Sequence, residues 1–134
     1  MLGVDTNVLV RFFVGDDEEQ FAQAKGLIGA ADQGALFVSP VVMVELNWVL
    51  RRVYGYSRDA VMVVLQGMTE FRQFQLGKRE MIVEALSLSS ATGADFSDAL
   101  IALLDQEAGC TATVTFDRKA RRLSQMMAVS EALA

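Results

Sequence analysis

Five acidic residues stand where predicted strands end or where predicted helices begin or pack. Asp5 directly follows the apolar run LGV, and Asp117 directly follows the β-branched run TATVTF. Asp95 and Asp98 are three residues apart in GADFSDAL, which places both on one face of the helix that starts there. Glu45 lies inside a helical apolar pattern, where we expect it to border the buried face. A carboxylate beside a core is costly unless it is hydrogen-bonded, paired or bound to a metal.

Each of these acids also has a purely structural explanation. Asp5, Asp95 and Asp117 are residues of the type that caps helix N-termini. Asp98 is a first-turn acid of the kind that the helix dipole favours, and Glu45 is a residue that could simply be solvated. Taken one at a time, the structural explanations are the commoner ones.

The composition restricts the chemistry that is available. The chain has 134 residues, no histidine and one cysteine, Cys110. This excludes Ser-His-Asp and Cys-His catalysis, an internal disulfide and the usual zinc sites. What remains is chemistry by carboxylates, hydroxyls, amines or a metal ion held by oxygen.

The elements that position these acids alternate between short β-like runs and amphipathic helices. This pattern predicts a single α/β domain, residues 1–134, with a mostly parallel sheet. Ser39-Pro40 is a strong helix start, an N-cap followed by proline at the first helical position. The predicted strands are a short buried strand at 2–4, then 35–38, 71–75 and 111–115, with 126–129 as an ambiguous edge strand. The predicted helices are 8–14, 16–32, 40–54, 57–68, 78–91, 96–108 and 118–123.

This topology directs three of the acids to one edge of the sheet. In an open parallel sheet, ligands bind outside the carboxyl ends of the strands, where helix N-termini also gather. Asp5 and Asp117 leave strands at that edge, and Asp98 opens a helix that should begin there. Because like charges repel and raise one another's pKa, such a cluster calls for a cation. Mg²⁺ or Mn²⁺ suits a shell of carboxylate and water oxygens.

The chain resembles the PIN domain, and most closely the VapC-type toxins of bacterial toxin–antitoxin pairs. The resemblance lies in four segments that occur in this order: VDTNVLVRFF, SPVVMVELNWVL, GADFSDALIALL and TATVTFDRKARRL. The similarity covers nearly the whole chain. It implies a three-layer α/β/α fold with a central mostly parallel sheet, and a metal-dependent endoribonuclease. The tail LSQMMAVSEALA fits the short closing strand of the family poorly.

The resemblance also implies the site residues. The acidic constellation of the family falls on Asp5, Glu45, Asp98 and Asp117, with Asp95 as an accessory acid. Thr6 matches a polar position that holds Asp5, and Thr115 a position that precedes the last acid. A metal held by Asp5, Asp98 and Asp117 is expected to polarise a phosphate oxygen and lower the pKa of a bound water. Glu45 could bind the metal through water, orient the attacking water or help to hold a second cation, and the site could hold one metal or two.

The net charge of −5 does not exclude an RNA substrate. Setting aside the five acids of the predicted site leaves 12 of the 17 acidic residues, which equals the 12 Lys and Arg. Four cations follow the last acid directly and are candidates for holding a backbone phosphate, unless they form an ordinary solvated helix face: Arg118, Lys119, Arg121 and Arg122.

Two other function classes remain open. The chain could be a catalytically silent PIN-like module that binds RNA or protein, with its acids serving only as caps. It could also be a haloacid dehalogenase-like phosphohydrolase, although that family has a second Asp where this chain has Asn7. RNA cleavage measured against phosphomonoester hydrolysis separates these classes.

The resemblance further implies a cognate antitoxin that inserts a peptide into a groove between the N-terminal helices, and a homodimer. The adjacent Phe12 and Phe13 cannot both be buried on one face of one helix, so they mark the expected docking region. We see no signal peptide and no apolar run long enough to span a membrane, so a cytoplasmic protein without membrane contact is expected.

Overall fold

A computed structural model describes residues 1–134, and the chain divides into two compact units, residues 1–79 and residues 80–134. Each unit contains its own helices and its own small parallel sheet. All strand pairs are parallel, as predicted. The prediction that residues 1–134 form one domain stays a prediction.

Unit 1 is built around a three-stranded sheet in the order β1-β2-β3. Its central strand places Leu36 opposite Leu2 on one side and opposite Phe74 on the other. Four helices precede or connect these strands, and together the elements are β1 (Leu2–Gly3), α1 (Thr6–Val14), α2 (Glu18–Ala30), β2 (Leu36–Val38), α3 (Pro40–Arg52), α4 (Arg58–Glu70) and β3 (Phe74–Leu76).

The position of β1 corrects one expectation. Leu2 is 62% exposed and Gly3 is exposed, so the first strand is not buried as predicted. β1 has only two residues and pairs in this sheet with β2 alone, whereas the other outer strand, β3, buries Phe74 and Leu76. Burial begins at Val4, directly before Asp5.

The helix starts of unit 1 follow the sequence signals. Ser39 accepts a hydrogen bond from the backbone N–H of Val42, and Pro40 is the first residue of α3. Ser57 caps α4 in the same way. Asp17 caps α2, so that helix starts two residues after the predicted position. These caps fix where the apolar faces of the helices begin.

Unit 2 is built around two parallel strands, with Thr113 aligned with Met126. Its elements are α5 (Arg79–Thr92, which begins at the last residue of unit 1), α6 (Phe96–Glu107), β4 (Thr113–Thr115), a 3₁₀ turn (Ala120–Arg122), β5 (Met126–Ala128) and α7 (Val129–Ala132). Phe96 and Leu100 of α6 are fully buried and hold the start of that helix in place.

The tail of unit 2 follows the family pattern more closely than its sequence indicates. The ambiguous edge strand is present as β5, although the short α7 after it was not predicted. The segment after Asp117 forms a 3₁₀ turn instead of the predicted short helix. No helix of the chain is both long and apolar enough to cross a bilayer.

Candidate active site

Asp5 sits at the N-terminus of α1. Its carboxylate accepts a hydrogen bond from the backbone N–H of Asn7 at 2.6 Å, so the predicted capping role is present. The side chain is nevertheless exposed. A carboxylate has about four lone-pair positions, and one capping bond leaves acceptor capacity for a ligand.

Thr6 connects this helix end to α3. Its hydroxyl, only 8% exposed, donates to Oε1 of Glu45 at 3.2 Å. The Thr6 hydroxyl is therefore engaged with Glu45, and the role of Thr6 in holding Asp5 stays a prediction. Glu45 is itself exposed instead of bordering the buried face. Unit 1 thus brings the Glu45 carboxylate to the residue that directly follows Asp5.

Asp95 and Asp98 begin α6 in two different roles. Asp95 is the N-cap and accepts a hydrogen bond from the backbone N–H of Ser97 at 2.9 Å. Asp98 lies one turn inside the helix, is half-buried, and its carboxylate accepts no hydrogen bond from the protein. This division matches the assignment of Asp95 as cap that the spacing suggests.

The turn after β4 positions Asp117. Its backbone N–H donates to Oγ1 of Thr115 at 3.0 Å, and its carboxylate accepts from the backbone N–H of Ala120 at 3.0 Å. Thr115 therefore orients the residue that carries the last acid, and that acid bonds the backbone N–H of the first residue of the 3₁₀ turn. The side chain of Asp117 is exposed.

The three acids of unit 2 influence one another electrostatically. The pKa of Asp98 is raised, first by burial of its carboxyl group and then by repulsion from Asp95 and Asp117. Burial disfavours the charged form, and each neighbouring negative charge disfavours it further. Unit 2 therefore holds a carboxyl group whose charged form is disfavoured by burial and by two neighbouring acids.

A hard divalent cation fits this donor set. Within unit 1, and likewise within unit 2, no three or more Cys, Asp or Glu side chains are arranged to enclose a metal ion on their own. Mg²⁺ is commonly held by one or two carboxylates and keeps several waters. The uncompensated Asp98, with Asp117 and Asp95 near it, is suited to a hydrated ion of that kind.

The basic cluster after Asp117 divides into two groups. Arg118, Lys119 and Arg121 are exposed. Arg122 is also exposed, but its Nη1 donates a long hydrogen bond of 3.4 Å to the carbonyl of Thr92. Its guanidinium lies over Gly93, where a Cβ atom would come within 2.7 Å of Nη1. Arg122 thus contacts the loop that leads to Asp95.

Comparison with known proteins identifies the family. The model of the PIN domain matches residues 3–125, which is most of the chain. This chain belongs to the PIN domain family. The predicted PIN-like α/β fold, a three-layer α/β/α arrangement with a mostly parallel sheet, is confirmed by that membership. The same result removes the haloacid dehalogenase alternative.

The chain is also similar to a relative described as a VapC ribonuclease, from Aquifex aeolicus (strain VF5). The two are 28% identical over 125 residues, which cover 90% of each chain. The resemblance drawn from the four sequence segments is therefore confirmed, both for the PIN domain and for its VapC-type branch.

Sequence reasoning missed a polar network at the C-terminal end of α1. Arg11 of α1 donates to Gln20 at 2.6 Å and to Asp16 and Tyr54 at 3.2 Å each. Tyr54 also donates to Asp16 at 3.0 Å. The hydrogen bond to Tyr54, and after it the charge of Asp16, raise the pKa of Arg11. No sequence spacing marks these contacts, because Tyr54 is 43 residues away.

A groove of about 320 Å³ lies between α1 and α2, as the family resemblance implies. Phe12 and Phe13 do not line it. They pack edge-to-face on each other and on Phe71, at the end of α4, and are half-buried there. The groove is lined instead by Asn7, Val8, Arg11, Gln20, Gln23, Ala24 and Leu27.

Proposed function

We propose that this protein is a metal-dependent endoribonuclease, the toxin of a type II toxin–antitoxin system, which hydrolyses RNA phosphodiester bonds. The proposal is supported by membership of the PIN family and by the similarity to a VapC ribonuclease. The observation that carries it is Asp98, a half-buried carboxylate without a hydrogen bond, beside two further acids. A perturbed acid of this type is a mark of a functional site.

The proposed metal ligands are Asp5, Asp98 and Asp117, with Glu45 acting through water and Asp95 as an accessory acid. When bound, Mg²⁺ or Mn²⁺ supplies Lewis-acid stabilisation of the phosphate and a more acidic water. The choice of metal rests on the oxygen-only donor set. Because the family match spans residues 3–125, which cover most of both units, we take residues 1–134 as one domain.

Glu45 is the residue best suited to orient the attacking water. Its Oε1 receives the Thr6 hydroxyl, while Oε2 receives no hydrogen bond from the protein. A carboxylate held in this way retains an oxygen that can accept a proton from water. Thr6 therefore positions Glu45, and Thr115 positions Asp117.

The three cations after Asp117 supply the phosphate contact. Arg118, Lys119 and Arg121 are exposed and follow directly on a proposed metal ligand. Arg and Lys commonly bind backbone phosphates and position nucleic acid without reading its sequence. Arg122 contributes less to this contact in our proposal, because it donates to Thr92.

The groove between α1 and α2 is the proposed docking site of the cognate antitoxin. It is open, mostly apolar in its lining at Val8, Ala24 and Leu27, and bordered by amide side chains that can bond a peptide backbone. A homodimer and a cytoplasmic location complete the proposal. The exposed free thiol of Cys110 is consistent with a reducing compartment.

A catalytically silent RNA-binding module is the second candidate. It is favoured by one observation: Asp5, Asp95 and Asp117 each accept a backbone N–H at a helix or turn start. Capping alone explains those three acids. It does not explain Asp98, which caps nothing.

Cleavage of a mixed single-stranded RNA tests the proposal. Purified protein should cleave RNA in Mg²⁺ or Mn²⁺, stop in EDTA and resume when metal returns, while leaving phosphomonoesters intact. Asp98→Asn should abolish cleavage. Asp105→Asn is the matched control, because Asp105 lies on the same helix and accepts a hydrogen bond from Thr113 outside the proposed site. Full activity in EDTA, or equal loss in both variants, contradicts the proposal.

A further inference from the structure

Phe116 is the most exposed large apolar side chain of the protein, at 89%. The other phenylalanine of unit 2, Phe96, is 1% exposed. Burial of an aromatic ring is strongly favourable, so a ring left in water forgoes that stabilisation. Phe116 lies between Thr115 and Asp117, directly beside a proposed metal ligand.

The local backbone explains why this ring points to solvent. Thr113 and Thr115 of β4 are half-buried, while Val114 is 52% exposed. Side chains alternate along a strand, so Phe116 continues the exposed row that Val114 begins. The hydrogen bond from the Asp117 N–H to Thr115 then fixes the turn around the ring. The exposure is therefore set by the turn that also positions Asp117.

The residues around the ring favour RNA over a second protein chain as its binding partner. The residues that follow are Asp117 and the exposed cations Arg118, Lys119 and Arg121. Protein interfaces place their aromatic residues in a patch whose centre is depleted of charge. Sites for single-stranded nucleic acid instead combine an aromatic ring, on which a base stacks, with cations that hold the backbone.

We propose that Phe116 is a stacking platform for one base of the RNA substrate, beside the phosphodiester that is cleaved. The inference rests on the proposed function and deepens it by naming a substrate-binding residue. The ring binds a base by its face, and the adjacent cations hold the phosphate of the same strand. Because every base has a π-face, Phe116 contributes affinity for unpaired RNA with little sequence preference.

RNA binding by ring variants tests this inference. The probe is a fluorescein-labelled oligoadenylate of about 12 nucleotides, within the range of single-strand site sizes. Its dissociation constant is measured by fluorescence anisotropy in the Asp98→Asn background with Mg²⁺ present, so that the RNA stays intact. The variants are Phe116→Ala, Phe116→Leu and Phe116→Trp. Val114→Ala is the matched control, since it removes an exposed apolar side chain from the same strand face.

Phe116→Ala and Phe116→Leu should each weaken binding by about 5- to 150-fold, the range expected for loss of one stacked base. Phe116→Trp should restore binding to the wild-type level or better, and Val114→Ala should leave it unchanged. When 2-aminopurine replaces one adenine of the RNA, its fluorescence should fall as the RNA binds to protein with Phe or Trp at position 116. It should keep its fluorescence with the Ala and Leu variants.

The inference is overturned if Phe116→Leu binds as well as wild type, or if Val114→Ala loses as much as Phe116→Ala. It is also overturned if the ring variants change only the sedimentation coefficient, which would make the ring a contact between copies of this chain. Failure of the proposed function is a separate result. Wild-type protein that binds RNA through the ring but never cleaves it contradicts the ribonuclease and leaves the stacking platform intact.

Discussion

Replacement of Asp95 separates the two acids that begin α6. Asp95→Ala removes the acceptor of the Ser97 N–H hydrogen bond, which is 2.9 Å long. Loss of a helix N-cap costs about 0.5–2 kcal/mol. For a chain of this size, 1 kcal/mol corresponds to about 4 °C in Tm. We therefore expect Asp95→Ala to lower the Tm by about 2–8 °C.

Asp95→Asn is the control that distinguishes the cap from the charge. Asn caps helices about as well as Asp, so the Tm should stay within about 2 °C of wild type. Both variants remove one of the two charges that raise the pKa of Asp98, so that pKa should fall in both. The first measurement is thermal unfolding followed by circular dichroism in metal-free buffer at neutral pH. The second is the NMR titration of the Asp98 carboxyl group.

RNA cleavage by the same two variants completes the test. Since Asp95 is assigned as a cap and an accessory acid, both variants should retain most of the cleavage rate at saturating Mg²⁺, whereas Asp98→Ala should lose it by orders of magnitude. The reasoning is refuted if Asp95→Asn is as unstable as Asp95→Ala. It is equally refuted if Asp95→Ala is the inactive enzyme and Asp98→Ala is active but unstable.

Three further changes follow from the contacts of the two units. The pKa of Asp98 is raised in the folded protein, so its charge destabilises the fold above that pKa, and this cost disappears as the pH falls. Asp98→Asn should therefore raise the Tm at pH 7 but not in acid. A lower Tm of this variant at pH 7 contradicts the expectation. Thr6→Val removes the hydroxyl that donates to Glu45 and should reduce kcat with little change in KM, whereas Thr6→Ser should restore kcat. Equal cleavage rates for the two variants argue against a role of Thr6 in positioning Glu45. Gly93→Ala places a side chain at a residue with a φ of 83° and should lower the free energy of unfolding, measured in denaturant, by about 1–3 kcal/mol. The control is Gly67→Ala, in a helix with open space around it, which should be neutral or stabilising.

The elements of the fold could largely be predicted from the sequence because they are set by local signals. Ser39-Pro40 marks the start of α3, and GADFSDAL marks the start of α6 with the correct cap. Period-2 and period-3.6 apolar patterns then identified the strands and helices between such signals. Boundaries shifted where a turn intervened, as at β3, which starts at Phe74 because the Phe74 N–H bonds to the Phe71 carbonyl.

What the sequence could not show depends on exposure and on distant contacts. An isolated strand pattern does not reveal that β1 is an outer strand, so the exposure of Leu2 was not predicted. Helical spacing predicts Glu45 near the buried face, but Glu45 is exposed and its carboxylate accepts a hydrogen bond from Thr6, 39 residues earlier. The sequence alone predicts that Phe12 and Phe13 lie in a docking groove. It does not show that both rings pack against Phe71, which follows much later in the chain.

The acids were found because their residue types and positions both carry information. Three of them follow strands or begin helices, and Asp98 lies close enough to Asp95 and Asp117 for their charges to raise its pKa. That Asp5 shares an edge with Asp98 and Asp117 stays a prediction. The assignment of Asp5, Glu45, Asp98 and Asp117 to a metal site stays a prediction, which rests on the family resemblance and, for three of the acids, on the topology argument.

Substitution of the central ligand by cysteine tests the account most directly. A thiolate binds Mg²⁺ poorly but accepts softer divalent metals. The measurement is the rate of RNA cleavage by Asp98→Cys in Mg²⁺ alone and in Mg²⁺ with added Zn²⁺ or Cd²⁺. We predict no cleavage in Mg²⁺ alone and recovery when the softer metal is added. Cleavage at the wild-type rate in Mg²⁺ alone would contradict the claim that Asp98 holds the catalytic metal.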